Sequence, residues 1–240
     1  MLFPTTHWTM LAEATLNGDT RGRSALDKMC REYRRPVFAV LRARGYDESE
    51  AEDLTQEFFL QLFETEAWKR ADRQRGRFRS FLLGTLTHTL QHEWAARRRL
   101  KRGGDTTTES IEAAREKGEE PVASDGAPSD SVFDREWALH LIQTAFAKVE
   151  GDFASAGRSG DFAVLRRFLP GVEKPLRYDE AAKLLGKNEG TVKSLVHRLR
   201  DDYRVALRSL VARTVAAAHE VDEELAYLHT VLTAPPRDGG

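Results

Sequence analysis

The stretch YDEAAKLLGKNEGTVKSLVHRLR, residues 178–200, contains two short amphipathic segments that meet at a glycine. Gly186 follows the first segment, where a residue able to adopt a positive φ can close a helix. Asn188 can cap the segment that comes next. That second segment has apolar residues at i, i+3, i+4 and i+7, the spacing of one buried helix face. They are Val192, Leu195, Val196 and Leu199. The stretch therefore predicts a helical hairpin.

The opposite face of the second segment carries small, polar or basic side chains, which suit an approach to phosphates and base edges in a major groove. The candidate DNA-contacting residues are Glu189, Gly190, Thr191, Lys193, Ser194, His197 and Arg198. A plain helical hairpin with a solvated face is the alternative. Small residues at the tight corner favour a helix-turn-helix that binds DNA, although many kinds of regulator contain such a unit.

Helical periodicity dominates the 240 residues, and no run of alternating strand residues is convincing, so the sequence predicts an all-α protein. Helices are predicted over 21–44, with an interruption or kink at Pro36, over 48–66 and over 78–99. Periodicity returns near residue 132 and continues to about residue 232.

A change of composition divides the chain into parts. Residues 103–132 are rich in small, polar and acidic residues, and cannot bury enough apolar surface to offset their ordering entropy. We therefore predict a flexible linker there, between small helical domains at 1–102 and 133–215. Residues 216–240 are predicted to form an acidic helix or tail, which either caps the second domain or remains solvated. Four acidic residues are clustered in it: Glu220, Asp222, Glu223 and Glu224.

The cysteine content and the apolar pattern indicate the compartment. Cys30 is the only cysteine, which excludes an internal disulfide and fits a reducing environment. The first ten residues lack the basic start and apolar run of a signal peptide. No apolar stretch approaches the ~20 residues that span a bilayer. These features predict a cytoplasmic protein without a membrane insertion.

Charge is segregated along the chain, although the net charge is only −1. Residues 45–66 carry eight acidic side chains and no Lys or Arg, whereas residues 69–102 carry eleven Lys or Arg against two acids. Residues 176–213 form a second basic region. Such a pattern is expected when different parts of a protein meet different partners.

The acidic region places charge of one sign on the exposed face of its predicted helix. Asp53 and Glu57 stand at i, i+4 with no neighbouring lysine, and such like-charge pairs repel by about a few tenths of a kcal/mol. A face that tolerates this repulsion indicates a basic partner. A solvated acidic face is the alternative.

The basic region has arginines clustered before and after its predicted helix, and a small, polar face between them. Basic clusters of this kind suit phosphate, and aromatics at the start of the helix could stack on an unpaired base or belong to the core. The candidate residues are Arg75, Arg77, Phe78, Arg79, His88, Gln91 and Arg98.

The segment HTLQH, residues 88–92, has two histidines at the i, i+4 spacing of zinc enzymes. It lacks the glutamate that would act as a base, because Gln91 stands where one form of the motif needs it. No phosphate-binding loop, dinucleotide fingerprint or nucleophile motif is present. The sequence therefore predicts neither a metal nor a cofactor, and a protein that is not an enzyme.

Three stretches together resemble bacterial sigma factors of the extracytoplasmic-function (ECF) type, in the sigma-70 superfamily. They are AEDLTQEFFLQLFE (51–64), GRFRSFLLGTLTHTLQHEWAARRRLKRGG (76–104) and LRYDEAAKLLGKNEGTVKSLVHRLRDDYR (176–204). TTHWTMLAEA near the start and EVDEELAYL near the end are similar to a subgroup found in planctomycete-like bacteria. The resemblance covers nearly the whole chain.

The resemblance implies core RNA polymerase as a partner, through its β′ clamp helices and its β flap. The residues that would bind the clamp helices are Glu50, Asp53, Gln56 and Glu57. The linker would run through the polymerase toward the RNA exit channel. An anti-sigma factor is the usual inhibitor in this family. A Ser/Thr kinase acting on Thr55 is a second implied regulator, although a helical wheel places Thr55 on the apolar side of its helix.

The resemblance also implies promoter DNA as a partner. Loop 69–78 and helix 78–99 would open and hold the −10 element, and residues 188–200 would enter the major groove at the −35 element. His88 and Leu195 depart from the family pattern, which often has Asn and Arg at these positions. Phe81 replaces a frequent Trp. The main alternative is a helix-turn-helix regulator that never docks on polymerase.

Overall fold

The computed structural model describes residues 20–71, 77–101, 128–171, 176–215 and 217–234. Within these ranges the protein consists of α-helices and short 3₁₀ turns and contains no β-strand, which confirms the predicted all-α fold. The helices are α1 (Thr20–Ala43), α2 (Glu48–Glu64), α3 (Phe78–Lys101), α4 (Pro128–Ser155), α5 (Ser159–Leu165), α6 (Tyr178–Leu185), α7 (Glu189–Val211) and α8 (Glu220–Thr233). None of these helices combines the length and the apolar character that crossing a membrane requires.

The chain divides into two compact units. The first unit comprises Met1–Trp137 and Thr214–Gly240, and the second comprises Ala138–Arg213. Helix α4 contributes to the first unit as far as Trp137 and to the second unit beyond it.

These units differ from the domain boundaries predicted by composition. The start of α4 and the C-terminal helix α8 join the first unit instead of the second. Helix α4 begins at Pro128, so residues 128–132 of the predicted linker are helical. The remainder of that linker, 103–127, lies outside the described residues.

An aromatic cluster forms the centre of the first unit. The ring of Tyr33 stacks on Trp137 with a centroid distance of 4.5 Å, and meets Phe78 edge-on at 5.5 Å. Phe133 lies 6.4 Å from the same ring. All four side chains are buried. Because Phe133 and Trp137 belong to α4, this packing explains why the start of α4 is part of the first unit.

Helix α1 packs against α2 and continues past Pro36 without a break. Of the two alternatives predicted at this proline, the interruption is therefore wrong, because the helix is continuous. Proline removes one backbone donor, and here its loss does not divide the helix.

The second unit has its core between the later part of α4, α5, α6 and α7. Val192, Val196 and Leu199 are buried in it, as the spacing predicted, whereas Leu195 is only partly buried. Gly186 closes α6 with a φ of 62° in the left-handed region. The Asn188 side chain accepts the backbone N–H of Thr191 at 2.8 Å. Both predicted signals at the corner of the hairpin are confirmed.

Candidate functional site

Helix α2 begins at a reciprocal cap. The backbone N–H of Glu50 donates to the Asp47 side chain at 2.8 Å, and the backbone N–H of Asp47 donates to the Glu50 carboxylate at 3.2 Å. Two negative side chains therefore lie at the positive end of the helix, where they stabilise it. Glu50, a predicted partner-binding residue, thus has a role in starting α2 that the sequence reasoning missed.

The exposed face of α2 carries Asp53, Gln56 and Glu57. In the described part of the chain, neither Asp53 nor Glu57 forms an ion pair with Lys or Arg. The nearby pair joins Glu52 to Arg34 at 3.4 Å. The Glu57 carboxylate instead accepts a hydrogen bond from Gln61 at 3.1 Å. This leaves a negative surface whose charge is not balanced within the described structure.

Leu60 lies on the same side of α2, three residues after Glu57 and seven after Asp53, and is 57 % exposed. The 3.6-residue period of the helix brings these three positions onto one face. Leu60 was not among the residues predicted from the sequence, although a helical wheel places it among the acidic residues.

Thr55 lies on the buried face of α2 and is 1 % exposed. Its hydroxyl donates to the backbone carbonyl of Ala51 at 2.6 Å. A kinase cannot reach this hydroxyl in the structure described, because it faces the interior.

The start of α3 brings Arg77, Phe78 and Arg79 together. Phe78 is fully buried against Tyr33, and Arg79 is 4 % exposed. Phe78 is therefore a core residue, and stacking on a base would require its removal from the aromatic cluster. Neither Phe78 nor Arg79 is accessible to DNA in this arrangement, which differs from the prediction that both face a promoter.

Carboxylates from two other helices enclose Arg79. Its Nε lies 2.7 Å from Asp134 Oδ1 of α4, and its Nη1 pairs with Glu224 Oε1 of α8. Arg77 Nε lies 2.8 Å from the other oxygen of Glu224, which is fully buried. Burial alone would lower the pKa of Arg79, but the carboxylates of Asp134 and Glu224 raise it above its ordinary value.

Tyr227 of α8 completes this cluster. The guanidinium groups of Arg77 and Arg79 lie 5.4 Å and 5.2 Å from the centre of its ring, within the range of cation–π attraction. Its hydroxyl donates to Asp134. Burial and this hydrogen bond raise the pKa of Tyr227 to about 12.

The position of α8 corrects the expectation for the acidic C-terminal residues. They form a helix, as one alternative predicted, but it packs in the first unit rather than as a cap on the second. Glu224 is buried rather than solvated, whereas Asp222 and Glu223 are exposed. Glu224 is buried there because it pairs with both arginines at the start of α3, and Asp134 supplies the second negative charge of the cluster.

Further along α3, the candidate residues are more accessible. His88 is half-buried and Gln91 is exposed. The nine residues from Arg79 to His88 correspond to roughly 14 Å along the helix axis. Thr87, on the same stretch, accepts a hydrogen bond from Arg44 at 3.1 Å. Arg75 and the side chain of Arg98 lie outside the described residues.

All seven candidate residues on α7 are exposed. The Lys193 ammonium lies 5.6 Å from the centre of the Tyr178 ring, which holds it beside α6. His197 Nδ1 lies 2.8 Å from an Asp201 carboxylate oxygen one turn later. The Ser194 hydroxyl donates to the Gly190 carbonyl at 3.1 Å. The second unit therefore presents a basic, polar face with small residues at its start.

Residues 29–100 match the sigma-70 region 2 family. The matched segment contains the second half of α1, all of α2 and nearly all of α3. It thus includes both the acidic face and the arginine cluster. The match supports membership of the chain in the sigma-70 family. It also supports a sigma-factor role, in promoter recognition by RNA polymerase. No curated protein and no solved structure matches the chain.

Proposed function

We propose that this chain is a sigma factor of the ECF type, which docks on core RNA polymerase and directs it to promoters in the cytoplasm. The observation that carries the proposal is the unbalanced acidic face of α2, which lies within the segment that matches sigma-70 region 2. The chain acts by association and not by catalysis of its own.

The acidic face of α2 is the polymerase-docking surface in this proposal. Asp53 and Glu57 supply negative charge for a basic partner, the β′ clamp helices, and Gln56 adds polar contacts. Leu60 supplies an apolar centre within this charged surface. An apolar anchor surrounded by polar contacts is the usual arrangement of an interface hot spot.

The α6–α7 hairpin is the −35-binding helix-turn-helix in this proposal, in a unit that also contacts the β flap. Lys193 and Arg198 bind phosphates, which positions α7 in the groove. Ser194 and His197 lie on the same exposed face and are placed to contact base edges. Gly190 allows close approach of the backbone, and a Cβ there would lie 3.3 Å from Asn188 Oδ1.

Helix α3 is the −10-binding element. His88 and Gln91 lie on its accessible part. Unstacking a base costs roughly a few kcal/mol, and trapping the unpaired bases against this surface offsets that cost. Phe81 is half-buried beside Phe78, at 5.9 Å, and is the more accessible aromatic of the two. Once the chain is docked, its −10 and −35 surfaces reinforce each other through effective concentration.

Charge reversal on α2 tests this function. We expect the full-length double variant Asp53→Lys, Glu57→Lys to lose affinity for core polymerase by at least about tenfold, because it turns attraction into repulsion. The matched control is Glu150→Lys, Glu223→Lys, which changes the charge equally at exposed positions outside the matched segment. The measurement is binding to labelled core enzyme at moderate ionic strength.

The control should bind core enzyme like the unmodified chain. Equal binding by both double variants would overturn the proposal. A regulator that never docks on polymerase predicts a different result. In that case Lys193→Ala with Arg198→Ala abolishes promoter binding, while charge reversal on α2 leaves promoter-specific transcription unchanged.

A further inference from the structure

The two arginines at the start of α3 are already paired with an acidic side chain of the same chain. Glu224 of α8 reaches Arg79 with one carboxylate oxygen and lies 2.8 Å from Arg77 with the other. Asp134 takes the remaining side of Arg79 at 2.7 Å. Both arginines that precede the −10 surface are therefore paired with carboxylates of this same chain; Arg79 is buried, whereas the Arg77 side chain is 34 % exposed.

We infer that α8 is an internal competitor of promoter DNA, with the Glu224 carboxylate standing where a DNA phosphate binds Arg77 and Arg79. The inference rests on the proposed function, because it assumes that the start of α3 meets DNA. It adds a regulatory step: α8 must leave these arginines before they can bind a nucleic acid backbone.

The chemistry of the two ligands is alike. A guanidinium binds carboxylate and phosphate through the same planar set of N–H donors. Arg79 is 4 % exposed, so a polyanion cannot reach it while Glu224 and α8 remain in place. One acceptor can replace the other, but both cannot bind at once.

The polar contacts that hold α8 can be exchanged for other partners. The Arg135 guanidinium donates to the carbonyls of Val231 and Leu232 at 3.4 Å and 3.1 Å, at the negative end of the helix. Tyr227 donates to Asp134. Buried ion pairs add little net stability, because desolvation of the charges offsets most of their attraction. Replacing the carboxylate by phosphate is therefore energetically accessible.

Val221 and Leu228 are the apolar anchors of α8, and both are buried. They lie three residues before and four residues after Glu224, so the acid is on the same face as the anchors. Deletion of α8 would uncover this apolar surface. A single isosteric substitution at Glu224 is consequently a cleaner test than truncation.

The first experiment uses Glu224→Gln in the full-length chain, with Glu223→Gln as the matched control on the exposed side of α8. The probe is a fluorescein-labelled single-stranded DNA, and binding is followed by anisotropy over a salt series. Glu224→Gln should bind at least about tenfold tighter. Its slope of log affinity against log salt should steepen by as much as about 1.4, since each arginine that exchanges its carboxylate for phosphate adds about 0.7 for single strands. Asp134 still contacts Arg79 in this variant, so about 1.4 is the upper value.

Adding Arg77→Gln to Glu224→Gln should remove about half of the gained slope, since one of the two freed cations is lost. The Glu223→Gln control should change the slope little. If Glu224→Gln remains folded and binds with the affinity and slope of the unmodified chain, the inference is wrong.

A second measurement uses the unmodified chain, so it does not depend on how Glu224→Gln folds. Saturating single-stranded DNA at low salt should increase amide hydrogen exchange over residues 220–233, because α8 is released. Unchanged exchange with DNA bound would overturn the inference. The core-polymerase assay separates the two proposals. If the chain docks on core enzyme but Glu224→Gln has no effect on DNA binding, the role of α8 is wrong and the proposed function still holds.

Discussion

Arg79 and Lys148 both form ion pairs, but their surroundings differ. Asp134 and Arg79 are almost fully buried at a distance of 2.7 Å, whereas Lys148 and Asp152 are 3.1 Å apart with both side chains more than half exposed. Removing one partner of a buried pair leaves an uncompensated charge in a medium of low polarity. An exposed pair is screened by water and salt.

We expect Asp134→Ala to lower the free energy of unfolding by about 3 kcal/mol, although Glu224 still contacts Arg79. The hydroxyl of Tyr227 also loses its acceptor. Asp152→Ala is the surface control and should cost less than about 0.5 kcal/mol. Urea unfolding followed by circular dichroism measures both. Similar losses in the two variants would show that burial does not decide the strength of these pairs.

Residue exposure could be predicted where it follows from one helix alone. The wheel of α2 placed Thr55 on the apolar side and Glu57 on the exposed side, and the structure agrees with both. The pairing of Arg79 with Glu224 could not be predicted, because 145 residues separate them and periodicity carries no information on which faces meet. A local signal was nevertheless present: Glu224 shares a face with Val221 and Leu228.

At the scale of the element, the start of α7 depends on one side chain. Asn188 has extended backbone angles, and its side-chain oxygen accepts the Thr191 N–H at 2.8 Å. This bond satisfies one of the helix donors that lack a partner within the helix. It fixes the first turn of α7, where Gly190 is exposed, and so positions the exposed Lys193 immediately after that turn.

Asn188→Ala should therefore lower the free energy of unfolding of the second unit by about 1 kcal/mol. Asn188→Ser should restore most of the loss, because serine also caps helices. Lys187→Ala, at the neighbouring exposed position, is the control. The measurement is thermal unfolding with near- and far-ultraviolet circular dichroism. If serine fails to rescue the alanine variant, the capping bond is not the cause.

Helix boundaries could be predicted best where such caps stand in the sequence. Gly186 and Asn188 marked the corner between α6 and α7 correctly. The start of α4 was missed, because residues 128–132 share the polar composition of the preceding segment. Pro128 is the first residue of α4, and proline is favoured at the first position of a helix. Composition thus outweighed a local start signal in the prediction.

At the scale of the whole molecule, the first unit is assembled from parts that are distant in sequence. It combines the segment that matches sigma-70 region 2 with the start of α4 and with α8. Composition predicted a boundary near residue 133, but Phe133 and Trp137 complete the aromatic cluster around Tyr33. Stability of the first unit and accessibility of its arginines are therefore linked through the C-terminal helix.

The first unit also contains groups that ionise only at high pH. Burial, followed by the charge of Asp27, raises the pKa of Cys30 from 9.0 to about 11. Burial and the hydrogen bond to Asp134 raise the pKa of Tyr227 to about 12. In the unfolded chain both groups lose their protons earlier. Between about pH 9 and pH 12 the folded state therefore binds more protons than the unfolded state.

It follows that the free energy of unfolding is fully retained below about pH 9 and declines as the pH rises toward the folded-state pKa values. Urea midpoints measured from about pH 8 to about pH 12 should decrease over this window. Cys30→Ser and Tyr227→Phe should each make the decline shallower, and the double variant more so. The double variant also serves as the control for general alkaline effects, since it keeps every lysine. If its midpoint falls as steeply as that of the unmodified chain, these two groups are not the source of alkaline sensitivity.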